Sequence, residues 1–170
     1  MPQGFVSVRD HRELRAVVLA FKALPQAIRK DLNKAVRDAL NPIWRDELNA
    51  TAHTTMDTRI ILAGARVKAG NPPVVLAAQS TRAIGGRLRP ADWWFAWEFG
   101  ANRNKVTSYE RVSRNGGTHP VRRHVSRGLP DRRRGGRVAF PAFAATAPRM
   151  LSRWVQGVVR IIHDAAEGQG

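Results

Sequence analysis

The side chains that most often carry catalysis or bind metals are few in this chain and widely separated. Its 170 residues include five histidines, no cysteine and 13 aspartates and glutamates. His119 and His124 are five positions apart in a predicted strand, so they would point to opposite faces and could not share a metal ion. The stretch "GGRLRP" (85–90) is rich in glycine but lacks the lysine and the hydroxyl of a phosphate-binding P-loop. We therefore expect no enzyme activity, no metal and no cofactor.

One acid, Glu98, lies in an unusually aromatic stretch, "WWFAWEFG" (93–100). Period-two alternation predicts a β-strand here, with one apolar face formed by Trp93, Phe95, Trp97 and Phe99. Glu98 and Trp94 would lie on the other face. A buried carboxylate is usually paired, so we expect Glu98 to serve as a structural acid for an arginine, within the subunit or across a subunit contact. Trp94 is the candidate interface ring, whereas Trp93 and Trp97 are expected in the core, with a subunit interface as the alternative.

The strongest compositional signal is positive charge. The net charge is +16 and the isoelectric point is about 11.8, which favours a polyanion or an acidic protein surface as partner. Residues 101–140 hold eleven lysines and arginines against two acids. The predicted contacts with a DNA channel or a partner ring are Arg122, Arg123, Arg127, Arg132, Arg133, Arg134 and Arg137. Because arginines and aromatic rings occupy separate segments of the sequence, base stacking on single-stranded nucleic acid is disfavoured.

The elements that must position these groups follow from periodicity. An amphipathic helix is predicted over 24–48, with a kink or a break at Pro42, after a short helix over 10–24 capped by Asp10. Strands are predicted over 58–70 and 72–80, with a loop before the aromatic strand. Next come a basic hairpin, formed by 105–113 and 118–126 around "RNGG", and a mobile loop. A last helix over 141–163, with Pro148 near its start, precedes a frayed tail over 164–170.

These elements predict a single α+β domain over 1–170. Its helical part covers 10–52, its strands 58–100 and its basic hairpin and loop insertion 101–140. The long N-terminal helix and the C-terminal helix would both pack on one small antiparallel sheet. No apolar run approaches the roughly 18 residues of a membrane span, and the N-terminus lacks a signal-peptide pattern. We expect a protein that is made and kept in a cytoplasm and has no membrane partner.

In order, these pieces resemble the neck or tail-completion (head-to-tail joining) proteins of long-tailed bacteriophages. The matching pieces are the basic helix at 24–43, Asp57-Thr58, Glu98-Phe99-Gly100, and Phe140-Pro141-Ala142-Phe143 leading into the last helix. The chain departs from the family pattern at Arg59, where the family has glycine, and in the length of its basic insertion.

The resemblance implies a structural virion protein without catalytic activity. It would form a homo-oligomeric ring around the DNA channel of the head–tail connector, with six subunits or alternatively twelve. The implied partners are the neighbouring connector or stopper, the tail terminator or tail tube, and phage DNA through nonspecific phosphate contacts. The implied location is the neck of the virion, with the host cytoplasm as the site of assembly. The alternative function is a stand-alone, sequence-nonspecific nucleic-acid-binding protein that uses the 101–140 hairpin.

Overall fold

The computed structural model describes residues 12–167 of the chain. Within them, five helices accompany two separate antiparallel sheets of two strands each, which confirms the α+β class. In chain order the elements are α1 (Arg12–Ala23), α2 (Gln26–Thr51), α3 (Thr55–Ile60), β1 (Arg66–Lys68), β2 (Val74–Leu76), α4 (Pro90–Phe99), β3 (Val106–Val112), β4 (Thr118–His124) and α5 (Ala139–Glu167).

The core lies between the two long helices, α2 and α5. Each helix buries one row of residues at a constant spacing of four. Such a row forms a ridge that packs into a groove of the neighbouring helix. The row on α2 is Leu32, Val36, Leu40, Trp44 and Leu48, and the row on α5 is Ala142, Thr146, Met150, Trp154 and Val158. The two long helices therefore pack on each other rather than side by side on a sheet, which corrects the predicted arrangement.

The β1–β2 ribbon is attached to α2 by side chains of that helix. The Asn41 side-chain oxygen accepts a hydrogen bond from the Val67 amide at 2.7 Å, and the Trp44 indole donates one to the Leu76 carbonyl at 2.9 Å. These bonds satisfy groups on strands that have only each other as ladder partners. The ribbon is thus a short accessory to the helical core and does not form its floor.

The predicted helices occur, with changes at their ends. The helix predicted over 24–48 is α2, and it continues through Pro42 without a break. The short N-terminal helix is α1, while its proposed cap Asp10 lies outside the described residues. The last helix is longer than predicted, because α5 begins at Ala139, has Pro148 in its interior and continues to Glu167. Positions 164–167 are therefore helical, and 168–170 lie outside the described residues.

The largest correction concerns the aromatic stretch, which is the helix α4 and not a strand. Pro90 is its first residue, where the missing N–H has no cost, and Asp92 lies in its first turn. Gly100 ends the helix with a φ of +66°. Apolar side chains lie on nearly every side of this helix. Every second residue of the stretch is therefore apolar as well, which imitates the pattern of a strand. These end signals outweigh the alternation.

The strand predicted over 58–70 is likewise mostly replaced, because the chain turns through α3 first. Thr54 and Asp57 form a capping box: the Asp57 amide donates to the Thr54 hydroxyl, and the Asp57 carboxylate accepts from the Thr54 amide. Strand structure begins at β1, and of the strand predicted over 72–80 only β2 is formed.

Candidate functional site

Glu98 is fully buried, and its carboxylate binds the start of α5. It accepts hydrogen bonds from the backbone amides of Arg137 at 3.0 Å, Val138 at 3.1 and 3.2 Å, Ala139 at 3.1 Å and Phe140 at 3.0 Å. The first amides of a helix have no partner within it, and their dipoles favour an anion. Glu98 therefore caps α5 from a distant helix. The arginine side chain expected as its partner is replaced by backbone amides, and its burial removes it from any subunit contact.

Two glycines allow the chain to approach this cap closely. Gly136 has a φ of +76°, and a Cβ atom there would lie 2.5 Å from a Glu98 carboxylate oxygen. Gly100 has a φ of +66°, and a Cβ atom there would collide with the carbonyl oxygens of Pro130 and Asp131. Both positions thus require glycine for backbone conformation and for space.

A second buried acid, Asp57, links α3 to α4 and to the segment before α5. Besides its capping box, it accepts hydrogen bonds from the Trp97 indole at 2.7 Å and from the Arg137 guanidinium at 3.4 Å. Burial acts to raise the pKa of Asp57, but the hydrogen bonds from Trp97 and Thr54, the charge of Arg137 and the His53 amide outweigh it. The net effect holds the pKa below its ordinary value of 3.8.

Arg137 therefore belongs to this buried cluster and not to the exposed basic surface. Its backbone amide binds Glu98 while its guanidinium binds Asp57, and its side chain is 23% exposed. The prediction that Arg137 contacts DNA or a partner ring is corrected, because the guanidinium points into the protein toward a buried carboxylate.

The other predicted contact arginines lie on an exposed surface. The predicted hairpin is formed by β3 and β4 around the "RNGG" turn, with Val112 opposite Thr118, and every residue of β3 is exposed. Arg122 and Arg123 are neighbours on β4, so they point to opposite faces of the ribbon. Arg127, Arg132, Arg133 and Arg134 are exposed in the segment that follows.

That segment was predicted as a mobile loop, but backbone hydrogen bonds attach it to the end of α4. The Ala101 amide donates to the Pro130 carbonyl at 2.9 Å, and the Arg133 amide donates to the Phe99 carbonyl at 2.8 Å. The loop is therefore anchored at two places, and its arginine side chains extend from a positioned backbone.

Most of these cations have no acidic partner within the described chain. In residues 101–140, an exposed arginine reaches a carboxylate only in the Arg103–Asp131 pair, at 3.9 Å. Within 101–140, nine cations have no carboxylate of the described residues 12–167 within 4.0 Å: Lys105, Arg111, Arg114, Arg122, Arg123, Arg127, Arg132, Arg133 and Arg134. Such a surface favours an external anion.

An exposed group of aromatic rings, missed by the strand prediction, lies where α4 meets α5. The Phe95 and Phe99 ring centres are 4.8 Å apart, and those of Phe99 and Phe140 are 5.1 Å apart. Phe95 is 62% exposed and Phe140 is 38% exposed. Trp94, the predicted interface ring, is half-buried and contacts the edge of Phe95. The prominent exposed ring on this side is thus Phe95.

Two further features, a cleft and a cluster of possible metal ligands, are candidates for a catalytic or metal site. An apolar cleft of about 370 Å³ lies between α3, α4 and the end of the hairpin, and its lining contains no ionisable side chain: Met56, Ile60, Leu88, Trp93, Trp97, Val125, Ser126, Gly128 and Leu129. Near the end of α5, one possible ligand atom each of His163, Asp164 and Glu167 lies within 4.8 Å of the others, but all three side chains are exposed on one helix. Neither feature has the enclosed, convergent polar groups of a catalytic centre.

No protein-family model matches this chain, and no match was found among curated proteins or among solved structures. Across residues 12–167, none of the helices combines the length and the apolar character needed to span a membrane.

Proposed function

We propose that this chain is a structural subunit of the head–tail connector of a long-tailed bacteriophage, acting in tail completion as part of a homo-oligomeric ring around the DNA channel. Three sequence pieces that carry the family resemblance, at 57–58, 98–100 and 140–143, meet around the start of α5. Asp57 and Glu98 hold that start, and Gly100 admits the loop beside it. This convergence supports the resemblance behind the proposal, because three of the pieces that carry it belong to one structural unit.

The observation that carries an assembly role is the exposure of the β3–β4 hairpin. All seven residues of β3 are exposed, including the apolar Val106, Tyr109 and Val112. A two-stranded ribbon by itself is only marginally stable in water, and an exposed strand edge offers unpaired backbone groups to another chain. The hairpin is the kind of arm that a neighbouring subunit would cover.

The basic loop, residues 127–137 between β4 and α5, would form a second contact in the assembly. Arg132, Arg133 and Arg134 extend from a backbone held against α4, so they are positioned for a shaped acidic surface. We favour the acidic face of a neighbouring ring as their partner, with the phosphates of channel DNA as the competing assignment. Neither contact involves catalysis.

Locating the protein in a virus particle tests this function. Antibody labelling should place the chain at the junction of head and tail, and particles made without it should accumulate as separate filled heads and completed tails. Labelling elsewhere on the particle, or normal joining in its absence, would refute the proposal.

A second function, a free-standing and sequence-nonspecific nucleic-acid-binding protein, is favoured by the nine exposed cations of 101–140 that have no carboxylate partner in the described chain. Gel shifts with isolated, monomeric protein at rising salt separate the two functions. Tight duplex binding by the monomer, with affinity falling steeply as salt rises, supports the second function. The connector role does not need such binding.

A further inference from the structure

The structure brings together aromatic rings and arginines that are about 35 residues apart in sequence. Because the Arg133 amide donates to the Phe99 carbonyl, the basic loop lies against the end of the aromatic helix. The chain then runs from Arg134 to Phe140, whose ring contacts that of Phe99. We call the surface formed by Phe95, Phe99, Phe140 and Arg132–Arg134 the aromatic–arginine patch.

Phe95 and Phe140 are the exposed rings of this patch, and Phe99 lies between them. Phe95 and Phe99 are tilted by 47°, and Phe99 and Phe140 by 59°, so no ring face is covered by a parallel neighbour. Phe95, at 62% exposure, is the most accessible ring of the three.

The supports of the patch are rigid. Phe95 and Phe99 are on α4, whose next-to-last residue Glu98 is bound by four amides at the start of α5. Phe140 lies in the first turn of α5 and provides one of those amides. A ligand on the patch would therefore meet rings and arginines whose backbone positions are already fixed, so little ordering would oppose binding.

We propose that the aromatic–arginine patch binds single-stranded nucleic acid, with unstacked bases against Phe95 and its neighbouring rings and phosphates against the arginines. Rings accept any base face, and arginines bind phosphate or stack on a base themselves. A duplex keeps its base faces inside its own stack. An acidic protein surface, favoured above as the partner of these arginines in the assembled ring, would leave the exposed Phe95 ring without a role. This inference goes beyond the connector function and does not depend on it.

The test is fluorescence anisotropy of purified protein with a labelled 20-nucleotide oligo(dT), at about 0.1 M salt, beside an abasic strand of equal length. The abasic strand has the same phosphates without the bases, so the difference in affinity isolates stacking. Oligo(dT) should bind at least about tenfold more tightly than the abasic strand. Phe95→Ala should remove most of that difference, and Phe95→Tyr should restore it.

The arginines act on both strands. Changing Arg132, Arg133 and Arg134 to alanine should weaken both oligonucleotides and flatten the salt slope by up to about 2, since each lost phosphate contact on a single strand contributes roughly 0.7. Leu19→Ala, which truncates a 64% exposed apolar side chain on α1, is the matched control and should change neither affinity. Thermal melts of all variants check that folding is intact.

Two results would overturn the proposal. Equal binding of oligo(dT) and the abasic strand, or insensitivity of oligo(dT) to Phe95→Ala, would reduce the patch to a phosphate contact. Tighter binding of a 20-base-pair duplex or of polyglutamate would assign the arginines to a duplex or to an acidic protein. Both outcomes leave the location of the chain in a particle, and hence the connector function, to its own test.

Discussion

The start of α5 and the β3–β4 hairpin differ in how their charged side chains are placed: buried and paired in the first, exposed and mostly unpaired in the second. At the start of α5, Glu98 and Asp57 are fully buried, and amides, an indole and a guanidinium satisfy them. On the hairpin and its following loop, nine cations are exposed and have no carboxylate partner in the described chain. The buried charges of the first region are satisfied within one molecule, whereas most of the cations of the second are available to an external partner.

This difference separates structural charge from interaction charge. A buried carboxylate with all its donors holds three segments in place, and removing it leaves unsatisfied groups behind. An exposed arginine contributes little to stability, because water already solvates it. Substitutions in the first region should therefore affect folding, and substitutions in the second should affect binding.

The largest effect is expected from Glu98→Gln. The amide that replaces one carboxylate oxygen would point N–H groups at the backbone N–H groups of 137–140, so buried donors would lose their acceptor. Unfolding free energy should fall by about 3–5 kcal/mol, measured by urea denaturation. The matched control is Glu110→Gln, which changes an exposed acid on the hairpin and should cost less than about 0.5 kcal/mol. Similar losses for both would contradict the separation.

Gly100→Ala should come next. A methyl group there would collide with the carbonyls of Pro130 and Asp131, in addition to the cost of a positive φ, so we expect a loss of about 2–3 kcal/mol. Gly116→Ala is the control, because Gly116 has a φ of +81° in the hairpin turn with nothing within 4 Å. It should cost only about 1 kcal/mol, and the difference in thermal melts measures the close approach alone. Equal costs would mean that the loop is not held against α4.

Acid should weaken the first region through Asp57. Its pKa is lower in the folded protein than its ordinary value of 3.8, so its stabilising effect is fully present above that pH and is lost as the pH falls through the folded value. The difference in unfolding free energy between wild type and Asp57→Asn should be constant above pH 5 and should narrow below about pH 4. Denaturation from pH 2.5 to 7 measures it. A gap that is independent of pH would argue against the ionised pairing.

The smallest effect on stability is expected from changing Arg132, Arg133 and Arg134 together to alanine. Each exposed side chain should contribute less than about 0.5 kcal/mol, so the melting curve should hardly move. If the loop faces a neighbouring ring, head–tail joining should fail while duplex affinity stays nearly constant. If the loop faces channel DNA, DNA retention should weaken instead. A variant normal in both assays would refute both placements.

The helices and the hairpin could be predicted from sequence because their signals are local. The apolar residues of α2 recur every four positions, and the "RNGG" turn is a stretch of four residues, so each signal is contained in a short segment. The prediction for the aromatic stretch failed because nearly all of its side chains are apolar, so periodicity could not distinguish a helix from a strand. Pro90 and Gly100 held the information needed, as start and stop signals.

The remote cap was beyond sequence reasoning, although one signal pointed to it. The start of α5 has no acidic residue in its first turn and is preceded by Gly135-Gly136, so the sequence offers no local side-chain anion for its first amides. Which acid provides it depends on how α4 packs against α5, and no local pattern determines that packing. The joining of Phe99 to Arg133 is nonlocal in the same way, which explains why the sequence disfavoured base stacking.

Hydrogen exchange of the isolated protein, followed by mass spectrometry, tests the central contrast most directly. The amides of 138–140, which bind Glu98 inside the protein, should exchange only with global unfolding, whereas those of 107–123 in the uncovered hairpin should exchange many-fold faster. That result would identify the hairpin as the part that needs a partner. Equal protection of both regions in the monomer would contradict the account, because the hairpin would then be as complete by itself as the helix start.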